Sequence, residues 1–281
     1  MNRSARLLAV LAVAAALLSA TGCKMLKARD QLNRGVQAYK GGFPEKAIEH
    51  FKNAVNLDDK LQVAKLYLAT AYTSQYVPGA ETPENLSMAQ QAVEQYKAVL
   101  KDEPQNSTSL KGLAFLYMQM KRFDEAREFY KKSISADPND PATYYSVGVL
   151  DWTAVYKDTA DRKSKEGLKV DEEMKGKRDQ KLCEDIKGAN EKRVDEGLEM
   201  LQQAMEKRQD YDDAMIYVNL LYLRKADMAC SDPEARAQDK KLSEDWTNKA
   251  MDARKRKNEA EAKKGGGGII LDQPSDQSKS K

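Results

Sequence analysis

The sequence predicts an all-α chain built from about five stacked helix hairpins, with a charged insertion in the fourth and a polar tail. Three observations predict it. The chain is rich in Ala, Lys, Glu and Leu with little β-branched alternation, which is the composition of helices rather than strands. Its 47 basic and 44 acidic residues are interleaved, as on solvated helix faces. Small and aromatic residues also return at fixed offsets, the signature of an internal repeat.

The elements follow in order. Met1 to Arg6 carries two arginines and no acid, Leu7 to Leu18 is unbroken Leu, Ala and Val, and Ser19 to Gly22 is small. That order is a secretory signal peptide over residues 1–22. The apolar run is about a dozen residues, short of the ~20 that a spanning helix needs. The segment Ala20-Thr21-Gly22-Cys23 resembles the lipobox of bacterial lipoproteins, although the usual Leu three residues before the cysteine is here Ala20. The resemblance implies acylation of Cys23, a short lipidated linker over 23–27, and anchoring without spanning. Lys24 stands where Asp would imply retention at the inner membrane. The expected location is therefore the outer membrane, facing the periplasm. Loss of Arg3 and Arg6 with the signal lowers the formal charge from +3 to +1. No basic stripe stands out, so nucleic acid is not an expected partner.

In "GVQAYKGGFPEKAIEHFKNAVNLDD", Gly35 is followed twelve residues later by Ala47, then by Phe51 and Ala54. In "LAFLYMQMKRFDEAREFYKKSISADP", Ala114, Tyr117, Ala126, Tyr130 and Pro138 keep the same offsets. "GGFPEKA" and "KRFDEA" read as the turns between two helices. Weaker units hold Ala69, Tyr72, Ala92 and Tyr96; then Gly148, Gly197, Leu201 and Ala204; then Val218, Asn219 and Tyr222, with Leu242, Trp246 and Ala250 as the closing helix. The pattern resembles the tetratricopeptide repeat, a 34-residue helix–turn–helix. The resemblance implies a right-handed α-solenoid over 28–252, with units at about 28–61, 62–106, 107–140, 141–211 and 212–252. Small residues such as Gly35 with Ala47, and Ala114 with Ala126, are expected where the two helices of a hairpin cross closely. Phe51 and Tyr130 are expected to fill the seams to the next hairpins.

Residues 154–193 interrupt the fourth unit. This stretch is half charged and carries Gly167, Gly176 and Gly188, so its first part is not expected to pack tightly. With Cys23 acylated, Cys183 and Cys230 remain as an even pair. In an oxidising compartment they are expected to bridge and pin the insert to the last hairpin; the alternative is two unrelated buried thiols. Residues 253–264 read as a charged helical end. Gly265 to Gly268 are a hinge by composition, and the polar remainder to Lys281 is expected to be disordered. Ile269-Ile270-Leu271 is an apolar exception, either without a role or a short docking peptide.

No nucleophile–base pair, phosphate-cradling loop or metal motif occurs, and the one histidine, His50, reads as a helical surface residue. Neither an enzyme nor a cofactor nor a small-molecule substrate is expected. In tetratricopeptide arrays partner peptides lie along the first helices. In register those positions are Tyr39, Thr70, Thr73, Lys111, Phe115, Met118, Tyr145, Trp152, Ile216 and Leu220. Lys111 alone does not make a clamp for a terminal carboxylate. The aromatics suggest an apolar trough for an extended or helical segment, unless Tyr145 and Trp152 pack against the insert instead. The layout is similar to that of the repeat lipoproteins of outer-membrane β-barrel assembly and of secretin pilotins. The expected function is a non-enzymatic interaction scaffold in the envelope, with self-association through the array and tail as the alternative.

Overall fold

A computed structural model of the chain describes residues 23–174 and 176–264. The expected signal peptide and the glycine-rich tail lie outside the described residues. Among the described residues all regular structure is helical: α1 (residues 23–40), α2 (Pro44–Leu57), α3 (Gln62–Gln75), α4 (Pro83–Asp102), α5 (Ser107–Gln119), α6 (Phe123–Ala136), α7 (Pro141–Lys165), α8 (Gly176–Lys207), α9 (Asp212–Asp227) and α10 (Pro233–Lys264). None of them is long and apolar enough to cross a membrane. Two compact units divide the chain, the first ending at Leu150 and the second starting at Asp151. The segment expected as a linker, 23–27, is the first turn and a half of α1, and Ala28 is already fully buried.

In the first unit the hairpins α1–α2, α3–α4 and α5–α6 pack in sequence. Gly42, with φ +78°, turns the chain out of α1, a conformation that glycine adopts at no steric cost. Pro44 then starts α2 where no amide donor is missed. Thr82 caps α4 and Asn106 caps α5, each accepting from an amide three residues on. The buried core includes Ala47, Phe51, Leu68, Ala71, Tyr72, Ala89, Ala92 and Leu116. Ala54, Ala69, Ala114 and Ala126 are fully buried, as are the rings of Tyr96 and Tyr130 nearly so. Gly35 serves a different neighbour from the one its spacing suggests. A Cβ there would lie 2.5 Å from the Phe51 ring, and its nearest contacts are all Phe51 atoms rather than Ala47. The glycine makes room for an aromatic. Phe51 stacks in turn on Tyr67 of α3, with centroids 5.4 Å apart, and so closes the seam to the next hairpin. The same device recurs at Gly112 of α5, where a Cβ would meet Tyr96 Cζ at 2.4 Å. The long loop between α3 and α4 is tied down by Asn85, which accepts from Val77 N and donates to the carbonyls of Val77 and Ala80.

The second unit corrects the reading of the insert. Residues 154–165 simply prolong α7, and 176–193 form the first half of α8. Val155, Thr159 and Lys163 recur every fourth residue on the buried side of α7; Cys183, Ile186, Asn190 and Val194 recur at intervals of three or four on that of α8. The first part of the insert is therefore packed. Two of its core positions hold Thr and Lys, which disguise the helical period as surface. Lys163 is fully buried, and its Nζ donates to the carbonyls of Val170 (2.8 Å) and Glu172 (2.9 Å). That ammonium is one of the groups that tie the connection 166–174 back to α7. Cys183 and Cys230 form a disulfide with Cα atoms 5.5 Å apart, joining α8 to the turn after α9. Gly148, Leu201 and Ala204 are buried. Gly197 admits Asp151 Cβ and Leu221 Cδ1 to 3.0 Å of where its own Cβ would stand. On α10 the inward positions are Ser243, Ala250 and Ala253; Leu242 and Trp246, expected to close the hairpin, are only half-buried. The expected boundary at 252 also moves. Ala253 is fully buried, and Arg254 and Arg256 pair with Asp212 (3.0 Å) and Asp210 (2.6 Å) across the hairpin.

Candidate functional site

Each unit presents its own set of the residues expected to face a partner. In the first, Tyr39 is half-buried against the core and Thr70 and Thr73 bond back to the carbonyls of Leu66 and Ala69. Lys111 is engaged as well: its Nζ lies 3.1 Å from Asp140, whose Oδ2 also accepts from the Thr143 hydroxyl at 2.7 Å. Burial pushes the Asp140 carboxyl up, but the bonds from Thr143 and Lys111 outweigh it and hold the group below the usual carboxylate range. Lys111 thus staples α5 to the start of α7. Phe115, on the same helix, is 43% exposed, whereas Met118 and Tyr145 are half-buried. Burial pushes the Tyr130 hydroxyl up to about 12, against a bond to Ser146 that lowers it. This marks a packed seam rather than a reactive phenol. His50 Nδ1 lies 2.8 Å from Gln31 Oε1, so the lone histidine bridges α1 and α2 and is not a plain surface residue.

In the second unit the aromatics gather. Trp152 stacks on Tyr156 of α7 (5.2 Å between centroids) and meets Tyr217 of α9 edge-on (5.4 Å). Tyr156 is 37% exposed, and the Arg224 guanidinium stands 5.9 Å from its ring. Burial, helped by the Asp213 charge, raises the Tyr217 phenol. Ile216 and Leu220 lie half-buried beside it on α9. Trp152 therefore packs against the insert residue Tyr156, as one of the two sequence alternatives had it, yet the pair remains on a partly open face. Tyr156 and Tyr217 were missed by the register count. Tyr156 fell in the supposed insert, although its i, i+4 spacing from Trp152 is the signal that could have found it.

A polar cluster lies beneath this face. Arg224 bonds Asp171 (3.2 Å) and Asp227 (3.0 Å), and Arg236 bonds Glu173 (2.6 Å) and the Cys230 carbonyl (2.9 Å). Burial raises the Asp227 carboxyl despite the cations around it, and burial lowers the Lys163 ammonium despite Asp227. The charges balance among themselves and clamp the 166–174 connection. Among the described residues no group of three His, Cys, Asp or Glu is placed to hold a metal ion.

A family model described as tetratricopeptide repeat matches residues 87–147. Over that stretch the chain is similar to the tetratricopeptide repeat. The matched stretch spans α4 to the start of α7 and includes the ungapped unit around Ala114, Ala126 and Tyr130. Solved structures share the fold. One described as MamA 41-end from Desulfovibrio magneticus RS-1 is 15% identical and covers 82% of this chain and 96% of its own, with a TM-score of 0.55. A MamA RS-1 double mutant gives 15%, 83%, 97% and 0.55 for the same measures. A crystal structure of MamA protein gives 12%, 88%, 98% and 0.53. At these identities the likeness establishes a helical solenoid-type fold. No curated protein matches the sequence. Counted as successive hairpins, α1, α3, α5, α7 and α9 are the first helices. The Trp152–Tyr156–Tyr217 cluster lies on α7 and α9, and Phe115 on α5.

Proposed function

We propose that this chain is a non-enzymatic protein–protein interaction scaffold whose first-helix faces take an extended or helical segment of a partner. The observation that carries the reading is the cluster of Trp152, Tyr156 and Tyr217 on α7 and α9, in which Trp152 touches both tyrosines and Tyr156 is still 37% exposed. Aromatic anchors held in place by their neighbours contribute most of the energy in protein interfaces. Phe115, 43% exposed on α5, offers a second anchor in the first unit. The Lys111–Asp140 bridge argues against recognition of a terminal carboxylate at Lys111, because that cation is already paired.

The sequence supports a place for this scaffold. The leader and the lipobox-like Ala20-Thr21-Gly22-Cys23 favour attachment through an acylated Cys23, at the periplasmic face of a bacterial outer membrane, in assembly of an envelope complex. The disulfide is in keeping with an oxidising compartment. The test is crosslinking in living cells followed by mass spectrometry, comparing wild type with a Phe115→Ala/Tyr156→Ala variant of unchanged circular dichroism. Both side chains are exposed enough to be truncated without unfolding. One envelope protein captured by the wild type and lost in the variant is the expected result. Identical captures would remove the aromatic faces from the function.

A further inference from the structure

On the second unit, a groove of about 740 Å³ runs over α9 between α8 and α10. Met215 and Tyr222 line its floor, Met205 of α8 and Trp246 of α10 its walls, with Glu206 on one rim and Lys249 on the other. At about 100° per residue, Met215 and Tyr222 point away from Tyr217. The groove is therefore on the opposite side of α9 from the proposed partner face and is not explained by it.

We propose that Ile269-Ile270-Leu271 of the same chain seats at the Met205–Met215 end of this groove. The tail itself lies outside the described residues; the argument is one of distance. Arg254 and Lys257 of α10 pair with Asp212 of α9 (3.0 and 3.9 Å), so Met215, one turn on, lies level with about residues 251–254 of α10. At a rise of ~1.5 Å per residue this is ~15–20 Å back along the helix from Lys264. An extended chain covers ~3.3–3.6 Å per residue, so Ile269 can travel ~17 Å and Leu271 ~24 Å from that point. The triplet meets the near end of the groove and the four glycines supply the reversal. Charge agrees with this direction. Asp272 follows the triplet in sequence and is opposite in charge to Lys249, whose Nζ stands 4.0 Å over the Trp246 ring. The triplet is the one apolar stretch in the sequence after Ala253.

Both tryptophans, Trp152 and Trp246, lie in the second unit but on different faces. The full chain labelled with 5-fluorotryptophan gives one ¹⁹F signal for each, assigned by the one lost in Trp246→Phe. Substituting Ile269→Ser/Ile270→Ser/Leu271→Ser is expected to shift the Trp246 signal and at least double its solvent isotope effect, with Trp152 unmoved. Deleting Gly265 to Gly268 is expected to do the same with the triplet intact, because Leu271 then travels only ~10 Å. An unmoved Trp246 signal in the serine variant overturns the proposal. So does movement of both signals, which means a change of the whole unit. A Trp246 shift that appears only on concentrating the wild-type chain also overturns it, since it assigns the groove to a second copy.

Discussion

Gly112 shows how much of the first unit depends on an absent side chain. Its missing Cβ would stand 2.4 Å from Tyr96 Cζ, and Tyr96 is almost fully buried, so neither partner has room to give. Gly112→Ala is expected to destabilise the chain by ~1–3 kcal/mol, read as a lower urea midpoint. Asp140 gives a pH-dependent counterpart. Its folded-state pKa lies below the ordinary 3.8 because the Thr143 and Lys111 bonds overcome burial. The contribution is complete above that value and is lost as pH falls through the folded pKa. Across pH 5 to 2, Asp140→Asn is expected to flatten the acid-side decline in the unfolding midpoint. At this scale the sequence was legible where residue size carried the message. Ala47, Phe51, Ala126 and Tyr130 are all buried at their repeat positions. Gly112 and Asn85 were not read. Each acts on a partner in another helix or loop, Tyr96 or the backbone around Val77, and no spacing rule connects the two ends.

Among the elements, α7 and α8 differ most from what composition suggests. Their charged stretch is two helix extensions and a clamped connection, because Lys163 and Arg224 spend their donors on the carbonyls and carboxylate of 170–172. A lysine with no exposed surface looks in sequence like any solvated lysine; only its partners 7 to 9 residues on reveal it. The pairing of Cys183 with Cys230 was expected from cysteine arithmetic, and it closes a separation of 47 residues. The chain-entropy estimate for such a loop is ~4 kcal/mol. Reductant, or Cys183→Ala/Cys230→Ala, is expected to lower the unfolding midpoint followed by tryptophan emission, since both tryptophans belong to the second unit. An unchanged midpoint would leave the bond without a stabilising role. The end of α10 was misplaced for a similar reason. Arg254 and Arg256 look like a soluble helix end until Asp210 and Asp212 are seen across the hairpin.

At the scale of the whole molecule, repetition was the strongest signal in the sequence, because no hairpin of this kind buries its apolar side without a neighbour. The aromatic residues of the proposed partner faces were legible only in part. Phe115 and Trp152 were named from the register, whereas Tyr156 and Tyr217 needed the helices themselves. The anchor carries its own prediction. Intact mass analysis of the protein extracted from bacterial membranes is expected to show acyl chains on Cys23, and Cys23→Ser to move the chain into the soluble fraction. An unacylated, soluble wild type would remove the anchor. Should the acyl chains be there, α1 leaves them almost no tether. Cys23 is exposed at the first described residue and Ala28 is fully buried five residues later, a helical rise of ~7.5 Å. The headgroup layer of one leaflet is about 5–8 Å deep. The first hairpin would then ride on the lipid surface like a boat at a short mooring. Its search for partners becomes two-dimensional, and it favours those that travel in, or emerge from, the same bilayer.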